Sequence, residues 1–572
     1  MIRFCSAAVA AASVMLASAV GAHSAPTDAD AVRACLPILT AADFDNIRGG
    51  LNRNYCLAND IDLAGIANFR PIGTAEQPFT GRLTGKGFVI RNLKIDTTLA
   101  KAGLFGVIAG TGSVSALRLA NVDIVARASR ASAGAVAGLL TGEGVVQSAN
   151  VTGSVRCPRR ECYVGGLAGE MTEGTVVRLS SSAARVLGGD GAVAGGLVGQ
   201  TAGRIANSYA TGRVSAGHVT SVGGLVGWQA NSNSIITRSF ATGPVTAREA
   251  SWVGGLIGFH AGNVRKSYAT GRVYAGPPRD TDVSIVGALI GLRGGRLDQS
   301  FAVGHVGGAA GSALGGLVGA NIQPDLQVKQ AFWDIQTTGQ ATSPKGAGRT
   351  TAQLQATLRV GFRTPWGISQ QYSYPYLEMS AEGVFASTLA SLVVANRVFA
   401  FVPLPQLEPT EYTTPPLHAD AASLAAAYTM IARSIGDTRN VGELKDVKID
   451  TYFWNDGTQA ATWTGPVTGH AALGSFTAIA NSSPISDANV IGVLKSRRLA
   501  LIRGTHSSGI THWMLATLFT TDEAGSPTGL VANDPWTGQQ VRIDLATKRV
   551  IVPGHFPLSD FTVDGYQPVT LN

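Results

Sequence analysis

The chain has 572 residues, of which 71 are glycine, 45% are hydrophobic and only 14% are charged. This composition excludes a highly charged disordered chain and suits many short buried strands separated by tight turns. Lys and Arg exceed Asp and Glu by 45 − 37 = 8, but the excess is spread along the chain without a dense basic run. We therefore predict no nucleic-acid partner.

The first 25 residues are predicted to be a signal peptide. Met1-Ile2-Arg3 is a short basic start, residues 7–20 are apolar, and Val20-Gly21-Ala22 is a suitable cleavage site. The apolar run is shorter than the roughly 20 residues that span a bilayer, so we predict no transmembrane segment in the mature chain. We expect an exported protein in the extracellular space, at the cell surface or in the periplasm of a Gram-negative-type bacterium.

Four cysteines remain in the mature chain. Cys157 and Cys162 bracket a short loop that a disulfide can staple, and Cys35 and Cys56 can form a second bridge. Zinc is the alternative, but nearby histidines are lacking and the two pairs are 101 residues apart. We therefore predict two disulfides, no metal site and no cofactor.

A short phrase, apolar-Gly-Gly-Leu-Val-Gly, recurs from Gly103 onward. Its central leucines are separated by steps of 35, 28, 30, 28, 31, 33 and 28 residues. Eight copies at this period indicate a solenoid of stacked coils, whereas the blades of a β-propeller need about 40 residues or more. The central leucines are Leu104, Leu139, Leu167, Leu197, Leu225, Leu256, Leu289 and Leu317.

A second phrase, Ser-Tyr/Phe-Ala-Thr/Val-Gly, begins at Ser208, Ser239, Ser267 and Ser300. We expect each unit to contribute two or three short strands, with glycines at the corners because glycine tolerates left-handed dihedrals. Stacked coils would place Leu on Leu and Tyr or Phe on Tyr or Phe, which builds one continuous core.

The two phrases resemble the GLUG motif region of large bacterial surface proteins, including filamentous haemagglutinin-like adhesins and immunoglobulin A protease relatives. Tyr55 to Leu63 resembles the opening of such regions, and Phe332-Trp333-Asp334 with Tyr374-Pro375-Tyr376-Leu377 resembles their ending. The resemblance covers residues 36–378. It implies a mainly β protein with a right-handed parallel β-helix, and an adhesin-like function with a protein or glycan ligand on the solenoid face.

Asp60 and Asp62 lie two residues apart, a spacing at which carboxylates can share one calcium ion. The glycine-rich acidic nonapeptides of calcium-binding β-rolls are absent from the sequence, however. We therefore predict a structural role for both side chains.

Residues 379–410 are predicted to be a linker, because the glycine period ends and prolines cluster from Pro403 to Pro416. Residues 411–572 are predicted to form one α+β domain. Apolar residues at helical spacing indicate a helix over residues 420–434. Strands are expected at residues 500–503, 512–516, 529–532, 541–543 and 550–552.

This order of elements resembles papain-like cysteine peptidases of the bacteriocin-processing and effector kinds. The resemblance implies that His512 is the catalytic base and that Asp534 orients it. Ala419, or Asp420 after a one-residue shift, stands where the family has its catalytic cysteine, and no cysteine follows Cys162. We therefore expect an inactive domain in which His512 and Asp534 only connect two strands. A hydrolase with an unrecognised nucleophile is the alternative.

Overall fold

The computed structural model describes most of the repeat region and a sheet near the C-terminus. It covers residues 35–363 except 87, 249–250 and 277–282, followed by 365–368, 374–377, 392–394 and 397–399. Further on it covers 476–478, 483–484, 487–495, 499–506, 511–521, 527–534, 539–551 and 561–571. The predicted signal peptide and the predicted helix over residues 420–434 lie outside the described residues, as does the predicted linker 379–410 apart from residues 392–394 and 397–399.

The repeat region forms a parallel β-solenoid of about nine turns, as predicted. A typical coil runs through five short strand positions rather than the predicted two or three, and equivalent strands of successive coils pair in register. The first position builds sheet 1, with strands Lys101–Ala102, Ser132–Ala133, Tyr163–Gly165, Val193–Gly195, Ser221–Gly223, Trp252–Gly254, Ile285–Gly287 and Ala313–Gly315. The second builds sheet 2, with strands Phe105–Ile108, Ala137–Leu140, Ala168–Met171, Val198–Thr201, Val226–Gln229, Ile257–His260, Ile290–Arg293 and Val318–Asn321.

The remaining three positions join in sheet 3, which has 26 strands. They are Leu36–Ile38, Asn54–Leu57, Ile61–Asp62, Arg82–Thr84, Val89–Arg91, Lys94–Thr97, Ser113–Ser115, Arg118–Ala126, Val145–Gln147, Asn150–Cys157, Val176–Arg178, Ser181–Ser182, Arg185–Gly188, Arg204–Ala206, Tyr209–Ala210, Val214–Ser215, Ile235–Thr237, Phe240–Ala241, Val245–Ala247, Asn263–Arg265, Tyr268–Ala269, Val273–Ala275, Arg296–Ala302, Val306–Gly308, Val328–Asp334 and Ala347–Arg349. Short helices flank the solenoid: α1 (Ala41–Asp45) and a 3-10 helix (Asn46–Gly49) at its start, and α2 (Ile335–Thr338) and α3 (Thr351–Ala356) at its end.

The central residue of the first phrase lies at the bend between sheets 1 and 2 and is fully buried. From one coil to the next these residues are Leu104, Val136, Leu167, Leu197, Leu225, Leu256, Leu289 and Leu317. From Val136 to Leu289, the backbone N–H of each donates to the carbonyl of its counterpart in the next coil at 2.8–2.9 Å. The predicted column is therefore present.

The predicted alignment of the repeats was wrong at one coil, where it counts Leu139 among the central leucines. Val136 takes that position, whereas Leu139 pairs with Val107 and Glu170 in sheet 2 and is partly exposed. The correct alignment keeps the glycine two residues after the column position, at Gly138.

The glycines of the first phrase allow close approach of the chain, whereas the predicted left-handed corner glycines lie elsewhere in the coils, at Gly110, Gly142 and Gly174. A Cβ on Gly195 would overlap the carbonyl oxygen of Val198 across the bend. A Cβ on Gly199 in sheet 2 would lie 2.7 Å from the backbone nitrogen of Val164 in sheet 1 of the preceding coil. The outer surfaces of sheets 1 and 2 therefore meet at a sharp angle, which we call the outer groove.

The serine of the second phrase joins successive coils. The Ser208 hydroxyl donates to the Ala206 carbonyl at 2.8 Å and accepts the N–H of Ser180 at 3.2 Å. Ser239 and Ser267 repeat both contacts, and all of these serines are fully buried. The residue before each serine, not a glycine, holds the left-handed φ of the corner, with values of 45–53° at Leu179, Asn207, Arg238, Lys266 and Gln299.

The aromatic residues of the second phrase stack, as predicted, but they lie outside the main core. Ring centroids are 4.8–5.0 Å apart along the ladder of Tyr209, Phe240, Tyr268 and Phe301. The alanine after each ring points into the main core instead. A second hydrophobic cluster covers the ladder, formed by Leu354, Phe362, Trp366, Tyr374, Tyr376 and Leu377. We call the described residues between 351 and 377 the strap.

Two disulfides connect neighbouring segments. Cys35 bonds to Cys56, and Cys157 bonds to Cys162, the pairs that the sequence predicts. The first ties the strand Leu36–Ile38 to the strand Asn54–Leu57, with which it pairs in parallel. The second closes the loop between sheet 3 and sheet 1.

The C-terminal sheet is antiparallel and holds all five predicted strands. In spatial order its strands are Phe476–Ala478, Phe561–Leu571, Leu499–His506, Thr511–Thr521, Pro527–Asp534, Gln539–Asp544 and Val550–Ile551, with Ser483–Pro484 paired to Phe561–Leu571. Helix α4 (Asp487–Lys495), which the sequence did not predict, packs against this sheet through Val490, Ile491 and Leu494. Two further strand pairs are Trp366–Gly367 with Tyr376–Leu377 and Leu392–Val394 with Arg397–Phe399.

Candidate functional sites

The predicted peptidase residues His512 and Asp534 lie on neighbouring antiparallel strands of the C-terminal sheet. Asn533, next to Asp534, pairs with Leu515, three residues from His512. His512 itself pairs with Gly504 on its other side. Ala419 and Asp420 lie outside the described residues, so the expected approach of either one to His512 stays a prediction.

Asp60 and Asp62 form bonds between coils. Both terminal nitrogens of Arg91 lie 3.2 Å from Asp60 Oδ2, and the Val89 N–H donates to Asp60 Oδ1 at 2.9 Å. Asp62 Oδ1 accepts the side-chain amide of Asn92 at 2.9 Å. These contacts are structural. Within the described ranges, no three His, Cys, Asp or Glu side chains gather in a group suited to a metal ion.

Asp334 is a buried carboxylate that fastens the strap to the end of the solenoid. Its Oδ1 caps α2 by accepting two backbone N–H groups, those of Gln336 at 2.8 Å and Thr337 at 3.2 Å. Its Oδ2 accepts the hydroxyls of Thr351 and Tyr374, each at 2.6 Å. Burial, followed by the charge of Asp334, raises the pKa of Tyr374 far above its ordinary value.

The outer groove has two walls, each made by one outward-facing residue per coil. The row of sheet 1 is Lys101, Ser132, Tyr163, Val193, Ser221, Trp252, Ile285 and Ala313. The row of sheet 2 is Val107, Leu139, Glu170, Gln200, Trp228, Phe259, Leu292 and Ala320. Unlike the leucine column, both rows change in size and polarity along the solenoid.

The groove begins with an ionic cluster and continues into an aromatic one. Lys101 Nζ lies 2.9 Å from Glu170 Oε2 and 2.9 Å from Ser132 Oγ, so one ion pair bridges the two walls. Further along, Trp228, Trp252 and Phe259 contact one another, with centroid separations of 4.7–5.9 Å. All three rings are partly exposed. Sequence analysis missed this cluster because its members belong to no repeated phrase.

The last inward position of sheet 2 changes from apolar to polar along the solenoid. In order it holds Ile108, Leu140, Met171, Thr201, Gln229, His260, Arg293 and Asn321.

Arg293 is the cation of this column and is fully buried. Its guanidinium donates to Asn321 Oδ1 and to the carbonyl oxygens of Gln323, at 3.3 Å, and Leu326, at 2.8 Å. Burial lowers the pKa of Arg293 to about 10. Burial, followed by the charge of Arg293, lowers the pKa of His260 to about 3. Both side chains are enclosed, so they are structural groups.

Comparison with known proteins gives short matches. Residues 190–215 match a family model described as the GLUG motif. Over 139 residues, covering 23% of this chain and 1% of the relative, the chain is 31% identical to Halomucin of Haloquadratum walsbyi. Over 122 residues, covering 20% of this chain and 14% of the relative, it is 35% identical to a protein of Evansella cellulosilytica named as a Gly-rich membrane protein. The chain thus spans a small part of both relatives.

Two solved structures named as immunoglobulin A1 proteases also align with the fold. One, from Bacteroides ovatus, has 17% identity and a TM-score of 0.35, covering 60% of this chain and 93% of its own. The other has 15% identity and a TM-score of 0.35, and the match covers 88% of this chain and 34% of that structure's chain. None of the helices in the described parts of the chain has the length and apolar character that a membrane span needs.

The segment matched by the family model contains one complete set of the contacts that build a coil. It includes the bend at Gly195 and Leu197, the close glycine Gly199, and the Ser208 and Tyr209 pair of the second phrase. The same contacts recur in the neighbouring coils. Residues 190–215 are accordingly a GLUG motif, and the solenoid repeats the contacts of this motif from coil to coil.

Proposed function

We propose that this chain is an exported, surface-associated interaction protein of the adhesin type, whose solenoid is a rigid support for recognition. The observation that carries the proposal is the contrast between the inside and the outside of the coils. The leucine column and the serine ladder repeat, whereas the outer groove changes from Lys101 and Glu170 to Trp228 and Trp252. A repeated leucine column and serine ladder, combined with a varied outer row, suit a scaffold that presents a binding surface to a protein or a glycan.

Export is supported by the pairing of all four cysteines of the proposed mature chain in disulfides. Disulfides persist in oxidising compartments and are rare in the cytosol. The basic start and apolar run of residues 1–25 support a cleaved signal peptide. The name of the Evansella cellulosilytica relative is consistent with a place at a membrane or cell surface.

Cell fractionation tests the proposal. Intact cells producing the full chain are treated with proteinase K, and the mature N-terminus is sequenced. We expect the chain to be released or degraded from outside the cytoplasm and to begin after Ala22 or Ala25. A control chain lacking residues 2–25 should stay in the cytoplasm. Retention of the full chain in the cytoplasm with an unprocessed N-terminus would refute the proposal.

The second part of the proposal is that the C-terminal domain is peptidase-like and inactive. The order of the described strands that carry His512 and Asp534 supports the likeness, and alanine or aspartate at the expected nucleophile position supports the inactivity. The purified protein should not cleave peptides, and a thiol-directed inhibitor should leave it unlabelled. Hydrolysis that disappears in the His512→Ala variant would establish the hydrolase alternative instead.

A further inference from the structure

The aromatic cluster of the outer groove spans both of its walls. Trp252 projects from the row of sheet 1, and Trp228 and Phe259 project from the row of sheet 2 in successive coils. The centroid of the Trp228 ring lies 4.7 Å from that of Phe259 and 5.9 Å from that of Trp252. The ring centroids of Trp252 and Phe259 are 5.3 Å apart. We infer that this cluster, the aromatic platform, binds an uncharged glycan chain. The inference rests on the proposed interaction function and specifies its ligand and its site.

The platform combines apolar faces with available hydrogen-bonding groups. The three rings are partly exposed instead of buried in the core. Among the described residues, no acceptor bonds the indole N–H of Trp228 or Trp252. The side-chain amide of Gln200, the residue next to Trp228 in the preceding coil of sheet 2, likewise has no hydrogen-bond partner among the described residues. Sugar rings present C–H groups that pack on aromatic faces and hydroxyls that accept from N–H donors, so their chemistry matches this surface.

The charge of the groove indicates an uncharged ligand. The row neighbours of the platform in the adjacent coils are Gln200, Ser221, Ile285 and Leu292, none of which ionises. The nearest charged member of either row is Glu170, two coils before Trp228, and Lys101 already neutralises it. Among the described members of the two rows, none beside the rings offers a counter-charge to a polyanionic chain or a charged peptide.

The geometry argues against three other occupants. The platform lies in the angle between two sheets, which a flat lipid bilayer does not enter. A peptide strand cannot extend sheet 1 or sheet 2 here, because both neighbours of every central strand are already paired. A proline-rich peptide needs slots between aromatic rings, whereas these rings contact one another and form one continuous surface.

Affinity electrophoresis of the full mature chain tests the inference. Native gels contain one of four neutral polysaccharides: hydroxyethylcellulose, xyloglucan, galactomannan or dextran. We expect at least one polymer to retard the wild-type protein and expect Trp228→Ala and Trp252→Ala to weaken that affinity about tenfold or more. Trp252→Tyr should keep most of the affinity because it keeps an aromatic face. The matched control is Tyr274→Ala, which removes an aromatic side chain that is 40% exposed in sheet 3.

Equal thermal unfolding midpoints would establish that the variants are folded. Gels with alginate, a proline-rich peptide and phosphatidylcholine vesicles serve as probes for the other ligand classes. The inference is overturned if none of the four neutral polymers retards the protein, if Trp228→Ala and Tyr274→Ala behave alike, or if only one of the other probes binds. Such a result on a protein that fractionates to the cell surface would leave the proposed function standing.

Discussion

Replacing Leu225 with alanine tests the internal column. Leu225 is fully buried between Leu197 and Leu256, and the bonds that link the three coils run through the backbone. The substitution removes three carbons, worth about 2.4 kcal/mol at about 0.8 kcal/mol each. An unfilled cavity of about 60 Å³ adds about 1.4 kcal/mol at about 24 cal/mol per Å³. We therefore expect the free energy of unfolding to fall by about 4 kcal/mol.

Leu139→Ala is the matched control. Leu139 is also a leucine of the repeat region, but it lies on the partly exposed row of sheet 2. We expect it to cost about 1 kcal/mol or less. Urea unfolding of the oxidised protein, followed by far-ultraviolet circular dichroism, measures both values. Equal losses in the two variants would refute the assignment of the column to Val136 in place of Leu139.

Three further predictions concern the strap, the buried histidine and the disulfides. Asp334→Ala leaves two hydroxyls and the N-terminus of α2 without their acceptor, so it should destabilise the strap by about 3 kcal/mol. Limited proteolysis should then cleave the strap faster. The control Asp298→Ala, at a partly exposed carboxylate, should not change the rate of cleavage. The folded pKa of His260, about 3, lies below its ordinary value of 6.5, so the unfolded state binds more protons between these values. Stability is then fully present above pH 6.5 and falls towards pH 3 by up to about 1.4 kcal/mol per pH unit, and His260→Leu should flatten urea midpoints measured from pH 7 to pH 4. Peptide mapping of unreduced material from an oxidising compartment should recover Cys157 linked to Cys162, and two free thiols there would contradict the pairing.

The solenoid was predictable because its interior repeats. A period of about 30 residues with a leucine and paired glycines indicates coils stacked with their bends aligned. The error at Leu139 arose because alanine, valine and glycine around Val136 have little apolar contrast, so two alignments fit. The constant distance from the column residue to the next close glycine, as in Leu167 and Gly169, decides between them.

The side of the solenoid on which the aromatic ladder lies was less predictable. A period shows which residues are neighbours in successive coils, but not whether they face inwards. In the two-residue strand Tyr209–Ala210, alternation places one side chain inside and one outside, and the main core takes Ala210. Tyr209 stays partly exposed, whereas Tyr268 and Phe301 further along the ladder are buried against rings of the strap, a long-range contact that the repeat does not encode.

The aromatic platform left a weak signal in the sequence. Trp228 and Phe259 each follow the last glycine of the first phrase, the position held by Gln200 one coil earlier. An alignment of the coils on that glycine shows a row that varies, whereas the leucine and glycine positions before it hardly change. The roles of His512 and Asp534 were suggested only by the order of elements that resembles papain-like peptidases. No side-chain contact of the described residues supports these roles.

The column of leucines makes one coil exchangeable for another in the gene. Each member bonds to its counterpart one coil away, so an in-frame loss of residues 226–256 would join Leu225 to Ile257 and restore an unbroken Gly-Gly-Leu-Ile-Gly phrase. The loss would remove Trp228 and Trp252 while the columns of leucines and of serines stayed unbroken. Unequal recombination between repeats can therefore change what the groove displays without a new fold having to evolve.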